Sequence, residues 1–168
     1  KLGQLFMLGA YPDKGASDFR KVQLAIDSHH IGGLIFFRGQ AATIARLTNQ
    51  YQALAACPLM MAMDAEWGMA MRLSDVEPFP FQMTLGAIQN DSLLYKMGQS
   101  MAKRQRRLGV HLNFAPVVDL NTNPKNPIIG LRSFGSNPDI VANKALSLAK
   151  GMEHAGLLTS IKHFPGHG

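Results

Sequence analysis

The stretch GGLIFF at residues 32–37 places four large apolar side chains in succession, with no polar residue among them. A strand with one wet face alternates apolar and polar residues, whereas a strand of a parallel sheet is covered on both faces and is apolar throughout. GGLIFF therefore predicts a buried strand in a parallel sheet.

Strand-like and helix-like segments alternate on both sides of this stretch. The predicted strands are QLFMLG (4–9), GGLIFF (32–37), LMMAMD (59–64), HLNFAP (111–116) and LLTSIKH (157–163). The predicted helices are residues 17–30, 41–56, 91–109 and 137–156. Asp91 and Asn137 stand at N-cap positions, and Gly109 and Gly156 stand where helices commonly end.

This alternation predicts an α/β fold, in which helices cross over between parallel strands. Two architectures fit it, a doubly wound sheet and a (β/α)8 barrel. A complete barrel takes about 250 residues, so this chain would hold about five of the eight β/α units. No linker, charge block or repeat divides the chain, and we expect a single domain over residues 1–168.

Composition excludes several classes of protein. The chain has 168 residues, of which 46% are apolar and 17% charged, as in a globular domain with its own core. No apolar run reaches the roughly 20 residues that span a bilayer. Cys57 is the only cysteine, which excludes an internal disulfide and a CxxC metal site.

The net charge of +6 raises the question of a nucleic-acid partner. The densest cluster, KRQRR at 103–107, lies near the end of the predicted helix 91–109, where the helix dipole favours cations. No aromatic residues are interleaved with it and no nucleic-acid motif accompanies it. We interpret the cluster as a solvated helix face and expect no nucleic-acid partner.

Polar side chains follow the third, fourth and fifth predicted strands. They are Asp64 and Glu66, then Asn113 and Asp119, then Lys162 and His163. Ligand sites of parallel α/β folds lie at the carboxyl ends of the strands. These residues are therefore site candidates by position as well as by type.

Asp64, Glu66 and Arg72 lie in MDAEWGMAMRL, residues 63–73. Residues i and i+2 of a strand share a face, so the two carboxylates could point the same way. A carboxylate can accept hydrogen bonds from neighbouring sugar hydroxyls, and an arginine can hold a hydroxyl or a carboxylate with its fork. A salt bridge within the loop is the alternative, above all for Glu66. Trp67 could stack on a sugar or fill the loop.

Arg132 lies between the apolar Leu131 and Phe134 in NPIIGLRSFGSNP, residues 126–138, which favours a partly buried site residue over a solvated one. No Walker motif and no GxGxxG follows the first strand, so we expect no nucleotide.

The final segment KHFPGHG, residues 162–168, holds His163 and His167 four residues apart. Pro165 and Gly166 prevent the helix that a zinc-binding pair at this spacing requires, so we predict no metal. The segment predicts a tight turn, in which Phe164–Pro165 could be cis.

The candidate ligand set is Asp64, Arg72, Arg132, Lys162 and His163. One carboxylate among several cations, with no phosphate loop, suits a polyhydroxy ligand.

Four stretches together resemble glycoside hydrolase family 3, most closely its bacterial β-N-acetylglucosaminidase branch. They are MAMDAEWGMAMRL (61–73), LGVHLNFAPVVDLNTNP (108–124), IIGLRSFG (128–135) and KHFPGHG (162–168). The likeness runs over nearly the whole chain, and the second and fourth stretches together are highly specific. The resemblance implies a TIM-type (β/α)8 barrel, of which the first five units or so are present.

The resemblance also implies a function. It implies retaining hydrolysis of terminal non-reducing N-acetyl-β-D-glucosamine without a cofactor. Cell-wall peptidoglycan fragments are the expected substrate, and chitin oligosaccharides are the alternative. Asp64 and Arg72 would lie at the sugar ring, and Arg132 near the N-acetyl group or a hydroxyl. Lys162 and His163 would hold hydroxyls through a turn with cis peptides near His163. The compartment could be the bacterial cytoplasm or the periplasm.

The chain departs from the family pattern in two ways. The family has two glycines and a further arginine where this sequence reads EWGM, residues 66–69, so we expect this loop to differ in shape. The family's nucleophilic aspartate and its catalytic His–Asp pair correspond to positions beyond Gly168. We therefore expect these residues to form the N-terminal, sugar-binding part of a catalytic barrel, inactive alone and partnered by the rest of that barrel.

Three alternatives stay open. The first is a family 3 β-glucosidase or β-xylosidase. The second is a sugar-binding fragment without catalysis. The third is a lyase that forms a Schiff base on Lys162.

Overall fold

The computed structural model describes residues 1–168 and contains one sheet of five parallel strands. The strands are β1 Met7–Ala10, β2 Gly33–Phe36, β3 Met60–Met63, β4 Leu112–Asn113 and β5 Leu158–Thr159. Their order across the sheet is β1-β2-β3-β4-β5, the order of the chain. A doubly wound sheet reverses its strand order at a switch point, and this sheet has no reversal. The architecture is therefore that of a TIM-type barrel, represented by five successive strands.

Five α-helices connect or follow the strands. They are α1 Ala16–His29, α2 Ala41–Leu54, α3 Gln82–Gly86, α4 Ser92–Arg107 and α5 Pro138–His154. Four of them confirm the helices predicted from the sequence. The short α3 was not predicted and lies in the long loop after β3. No helix of the chain combines the length and the apolar character needed to cross a membrane.

The predicted start of the first strand is wrong. Leu2–Leu5 forms a 3-10 helix, and β1 begins only at Met7. The Gln4 side-chain amide donates a hydrogen bond to the carbonyl of His30, 2.7 Å away, at the end of α1. This contact joins two segments 26 residues apart in the chain, so the apolar composition of QLFMLG does not reveal it.

The predicted helix termini are confirmed in part. The Asn137 side chain accepts hydrogen bonds from the backbone N–H groups of Asp139 and Ile140 and caps α5. Asp91 precedes α4, but its carboxylate makes no capping bond and instead lies 2.7 Å from the Lys144 ammonium of α5. Gly109 and Gly156 follow α4 and α5 with φ of +79° and +82°, in the left-handed region that glycine adopts most readily.

The main core lies between the sheet and the helices. Leu34, Phe36, Met61 and Met63 of β2 and β3 are fully buried there. Met60, on the other face of β3, is 38% exposed. Ala62, on the same face as Met60, is fully buried, so β3 is covered on both faces except at its first residue.

Helices α4 and α5 touch through their backbones at two glycines. A Cβ atom on Gly98 would lie 2.3 Å from the carbonyl oxygen of Leu148, and one on Gly151 would lie 2.1 Å from that of Tyr95. Real Cβ atoms do not approach so closely. Only glycine therefore allows the two helices that flank β4 and β5 to cross at this distance.

The basic segment 103–107 lies on the surface of α4, as predicted. Lys103, Arg104, Arg106 and Arg107 are all exposed. The Arg104 guanidinium lies 4.9 Å from the centroid of the Phe79 ring. Apart from that contact and a hydrogen bond from Arg106 to the carbonyl of Gly156, the segment is a solvated helix face.

Candidate functional site

A group of charged side chains meets where β3 and β5 end. The ammonium of Lys162 lies 2.5 Å from Asp64 Oδ1 and 2.7 Å from Glu66 Oε1. Asp64 and Glu66 thus point the same way, as their i, i+2 spacing predicts. Lys162 is 98 residues from Asp64 in the chain, and the parallel sheet brings the two together.

Arg72 holds the other side of the Asp64 carboxylate. Its Nη2 lies 2.5 Å from Asp64 Oδ2, and its Nε donates a 2.7 Å hydrogen bond to the backbone carbonyl of Asp64. The guanidinium also lies over the Phe37 ring, 4.9 Å from its centroid. Asp64 is therefore fixed between two cations, one from its own loop and one from β5.

Glu66 and Arg132 form a bidentate ion pair. Arg132 Nε and Nη2 donate 2.8 Å hydrogen bonds to the two carboxylate oxygens of Glu66, whose side chain is completely buried. Burial by itself would raise the pKa of Glu66, but the hydrogen bonds from Arg132 and Lys162 outweigh it and hold that pKa below its usual value. The hydrogen bond from Arg132 to Glu66 in turn raises the pKa of Arg132. Glu66 is thus no surface residue, and the sequence-based ligand set omitted it.

Asp119 is the buried carboxylate that contacts His163, as Glu66 is for Arg132. Its Oδ2 lies 2.5 Å from His163 Nδ1, and its Oδ1 accepts a 2.6 Å hydrogen bond from the backbone N–H of His167. Burial opposes ionisation of this carboxyl, but the hydrogen bonds from His163 and His167 hold the pKa of Asp119 below its usual value. Position after the fourth strand was the only sequence signal for Asp119, which the ligand set also omitted.

The turn that carries His163 has the backbone that the resemblance implied. The Lys162–His163 and Phe164–Pro165 peptide bonds are cis, and so is Ala115–Pro116 on the adjoining segment. The backbone N–H of Lys162 donates to the carbonyl of Pro116, and that of Val118 donates to the carbonyl of Lys162. These bonds extend the β4–β5 pairing and direct Lys162 and His163 toward the strand ends.

The cluster has an exposed layer and a buried layer. The five side chains of the predicted ligand set are 16–31% exposed, while Glu66 and Asp119 are 0% exposed. Arg132 links the layers, since its Nη2 contacts Glu66 and lies 3.5 Å from His163 Nε2. The exposed layer offers one carboxylate acceptor and several N–H donors, a set suited to hydroxyl groups.

Open space adjoins this layer on the β5 side. A cavity of about 550 Å³ is bounded by residues that include Asp119, Thr122, Lys162, His163 and Phe164. No group of three or more His, Cys, Asp or Glu side chains in the chain could hold a metal ion.

The loop that departs from the family pattern packs on itself. The Trp67 ring contacts Phe81, with centroids 4.8 Å apart, which favours the interpretation that Trp67 fills the loop. Gly68 has a φ of +84° and lies against the Phe79 ring. This loop carries Glu66 at one end and Arg72 at the other, so its packing helps to fix the cluster.

Sheet order and site position together define a barrel-type α/β domain with a polar site at the carboxyl ends of its strands. The sequence profile described as "Glycosyl hydrolase family 3 N terminal domain" matches residues 1–168. The chain belongs to this family.

Three proteins illustrate the relationship. "Beta-hexosaminidase A" of Pseudoalteromonas piscicida is 39% identical over 156 residues, 85% of this chain and 26% of that protein. "Beta-N-acetylglucosaminidase/beta-glucosidase" of Cellulomonas fimi is 30% identical over 168 residues, 100% of this chain and 29% of that protein. The solved structure of a family 3 β-N-acetylglucosaminidase from Paenibacillus sp. str. FPU-7 superposes with a TM-score of 0.90 at 36% identity, covering 99% of this chain and 33% of that one. The chain thus spans about a quarter to a third of the length of these relatives.

Proposed function

We propose that these residues form the sugar-binding part of a retaining glycoside hydrolase that removes terminal non-reducing N-acetyl-β-D-glucosamine. The observation that carries the proposal is the two-layered cluster, in which buried Glu66 and Asp119 hold Arg132, Lys162 and His163 toward the strand ends. Such a fixed set of donors around the Asp64 carboxylate suits recognition of sugar hydroxyls.

The names of the relatives support the choice of sugar. Both proteins and the solved structure compared above carry β-hexosaminidase or β-N-acetylglucosaminidase in their names. Within the proposal, Asp64 accepts hydrogen bonds from ring hydroxyls. Lys162 and His163 donate to or accept from hydroxyls, and Arg132 lies at a hydroxyl or at the N-acetyl group. Peptidoglycan fragments are the proposed natural substrate.

The proposal assigns binding, not bond cleavage, to this segment. A retaining hydrolase needs a nucleophile and an acid/base on opposite sides of the glycosidic bond. Asp64 and Glu66 both follow β3 and both contact Lys162, so they do not lie on opposite sides of a bond, and both are held by cations. We therefore assign both catalytic groups to parts of the protein outside residues 1–168, in keeping with the greater length of the relatives.

Hydrolysis by the full-length protein tests this proposal. We expect cleavage of a nitrophenyl N-acetyl-β-D-glucosaminide and much slower cleavage of the matching β-glucoside. An Asp64→Asn variant should lose most of this activity, whereas Asp27→Asn, on the exposed surface of α1, should keep it. Cleavage of neither sugar would refute the proposed hydrolase.

A β-glucosidase is the second candidate. The Cellulomonas fimi relative is named for both activities, so the same kind of site serves both sugars in that protein. Preferential cleavage of the β-glucoside would favour this candidate and keep the sugar-binding role of the cluster.

A further inference from the structure

A second cavity, lined in part by Arg72, lies beyond the ends of β1 and β2. Its volume is about 670 Å³, and the loops after β1, β2 and β3 form its walls. We name it the arginine recess, and its polar lining consists of Asp13, Arg38, Gln40, Thr43, Arg72 and Ser74. None of these residues except Arg72 belongs to the cluster described above.

The walls of the arginine recess are tied to each other. The backbone N–H of Ser74 donates a 3.1 Å hydrogen bond to the carbonyl of Gly39, and Gly39 pairs with Leu73 in a parallel bridge. The Asp75 carboxylate accepts the backbone N–H of Ala41 at the start of α2. The loops around the recess are therefore held in place by hydrogen bonds within the chain. The first backbone N–H of α2 already donates to Asp75 and is not free for a ligand.

The charge of the recess comes from two guanidinium groups. Asp64 engages Nε and Nη2 of Arg72 through its carbonyl and carboxylate, which leaves Nη1 without a partner. Arg38 is exposed and has no carboxylate within 4.0 Å. Asp13 supplies the only opposing charge in the lining. In the cluster each of Arg72, Arg132 and Lys162 faces a carboxylate, whereas in the recess Arg38 faces none.

We propose that the arginine recess binds an anionic group, a phosphate or a carboxylate, carried by the sugar that Asp64 holds. Arg72 connects the two spaces, because the same guanidinium contacts Asp64 and lines the recess. The planar guanidinium of arginine can donate two parallel hydrogen bonds to two oxygens of either anion. This inference rests on the proposed function, since it extends the ligand from the same sugar-binding cluster.

Competition between charged and neutral sugars tests the inference on the full-length protein. The inhibitors are N-acetylglucosamine, its 6-phosphate and N-acetylmuramic acid, which separate a neutral sugar, a phosphate and a carboxylate. Each is measured against hydrolysis of the uncharged nitrophenyl sugar and, independently, by titration calorimetry. We expect at least one anionic sugar to bind about tenfold more tightly than the neutral one, as one added charge-assisted contact provides.

Two variants assign the preference to the recess. Arg38→Met keeps the length of the side chain and should abolish the tenfold ratio. Arg20→Met, exposed on α1 and outside the recess, should preserve it. A preference that survives Arg38→Met, or equal affinities for all three sugars in the unaltered protein, would overturn the inference.

The two proposals fail in different ways. One outcome is that no sugar is hydrolysed, but calorimetry shows tighter binding of the charged sugars and this preference depends on Arg38. That outcome would refute the proposed hydrolase activity and support the proposed anion binding by the arginine recess. If the neutral substrate is hydrolysed and charge makes no difference to affinity, the hydrolase stands and the recess is refuted.

Discussion

The charged cluster at the ends of β3–β5 and the basic segment 103–107 of α4 are both rich in cations, yet their surroundings differ. In the cluster, Arg132 and Lys162 share a carboxylate that has no contact with water. On α4, Lys103 and Arg107 extend into solvent. Breaking a buried ion pair leaves an uncompensated charge, whereas an exposed charge is stabilised by water whatever its neighbours. The amino-acid composition does not distinguish these two sets of cations. In the folded protein, Arg132 and Lys162 compensate a buried carboxylate, whereas Lys103 and Arg107 do not.

The largest effect is expected from Glu66→Gln. The neutral amide cannot compensate Arg132 and Lys162, so the free energy of unfolding should fall by about 3–5 kcal/mol. Displacement of both cations should lower kcat/KM for the N-acetyl sugar by about 100-fold. Urea unfolding and steady-state kinetics of the full-length protein measure these changes. Glu77→Gln, on the exposed surface of the same loop, is the control. Equal behaviour of the two variants would contradict the distinction between buried and exposed charge.

A smaller loss should follow Lys162→Met, which removes the cation shared by Asp64 and Glu66 but leaves both of their arginines. Sugar affinity should fall by roughly 30–100-fold, because a charge-assisted hydrogen bond to the ligand is lost. Titration calorimetry with N-acetylglucosamine measures this, with Lys150→Met on the outer face of α5 as control. Unchanged affinity would remove Lys162 from the proposed binding set.

Asp119→Asn should have a moderate effect with a distinctive pH dependence. The folded-state pKa of Asp119 lies below its usual value of about 3.9. Its contribution to stability is therefore complete above the unfolded pKa and is lost as pH falls through the folded pKa. As pH falls from the unfolded pKa through the lower folded pKa of Asp119, the variant should lose less unfolding free energy than the unaltered protein.

The same variant should lower kcat/KM about tenfold, since the amide no longer holds His163 Nδ1 as a carboxylate does. An acid limb of the stability curve identical to that of the unaltered protein would contradict the pairing of Asp119 with His163. Asp139→Asn, exposed in the first turn of α5, is the matched control.

The smallest effect is expected from Lys103→Ala combined with Arg107→Ala. Neither side chain pairs with a carboxylate, so each should change the unfolding free energy by no more than about 0.5 kcal/mol and leave kcat/KM unaltered. Thermal unfolding and kinetics check this. A loss of activity comparable to that of Lys162→Met would show that the basic segment contributes to function.

The sequence predicted the existence and order of the five strands because apolar runs are local signals, but β4 and β5 are two residues long where residues 111–116 and 157–163 were predicted. The stretch GGLIFF, residues 32–37, was predicted as a strand, and the observed strand β2 is one residue shorter at each end, Gly33–Phe36. Local patterns also singled out the five residues of the predicted ligand set, which the structure brings together, and their binding of a ligand stays a prediction. The start of β1 and the short α3 did not follow from local patterns, since a hydrogen bond from Gln4 to the end of α1 and the packing of a long loop decided them.

The buried layer of the site was harder to predict for a physical reason. Buried Glu66 pairs with Arg132, which is 66 residues away in the chain, and Asp119 pairs with His163, which is 44 residues away. In the sequence each carboxylate resembles a solvated loop residue. The three-dimensional structure is needed to show that the buried carboxylates of Glu66 and Asp119 hold Arg132 and His163 in the cluster.

The glycine contacts between α4 and α5 have a consequence for local motion. Because the two backbones touch at Gly98 and Gly151, no layer of side chains there can rearrange to let the helices slide apart. Amide hydrogens in the middle of both helices should therefore exchange with deuterium only when the pair opens as a unit. Strand β5, which precedes Lys162 and His163 in the chain, packs against α5 of this pair. Slow exchange over α4 and α5 beside faster exchange over α1 and α2 would be its signature.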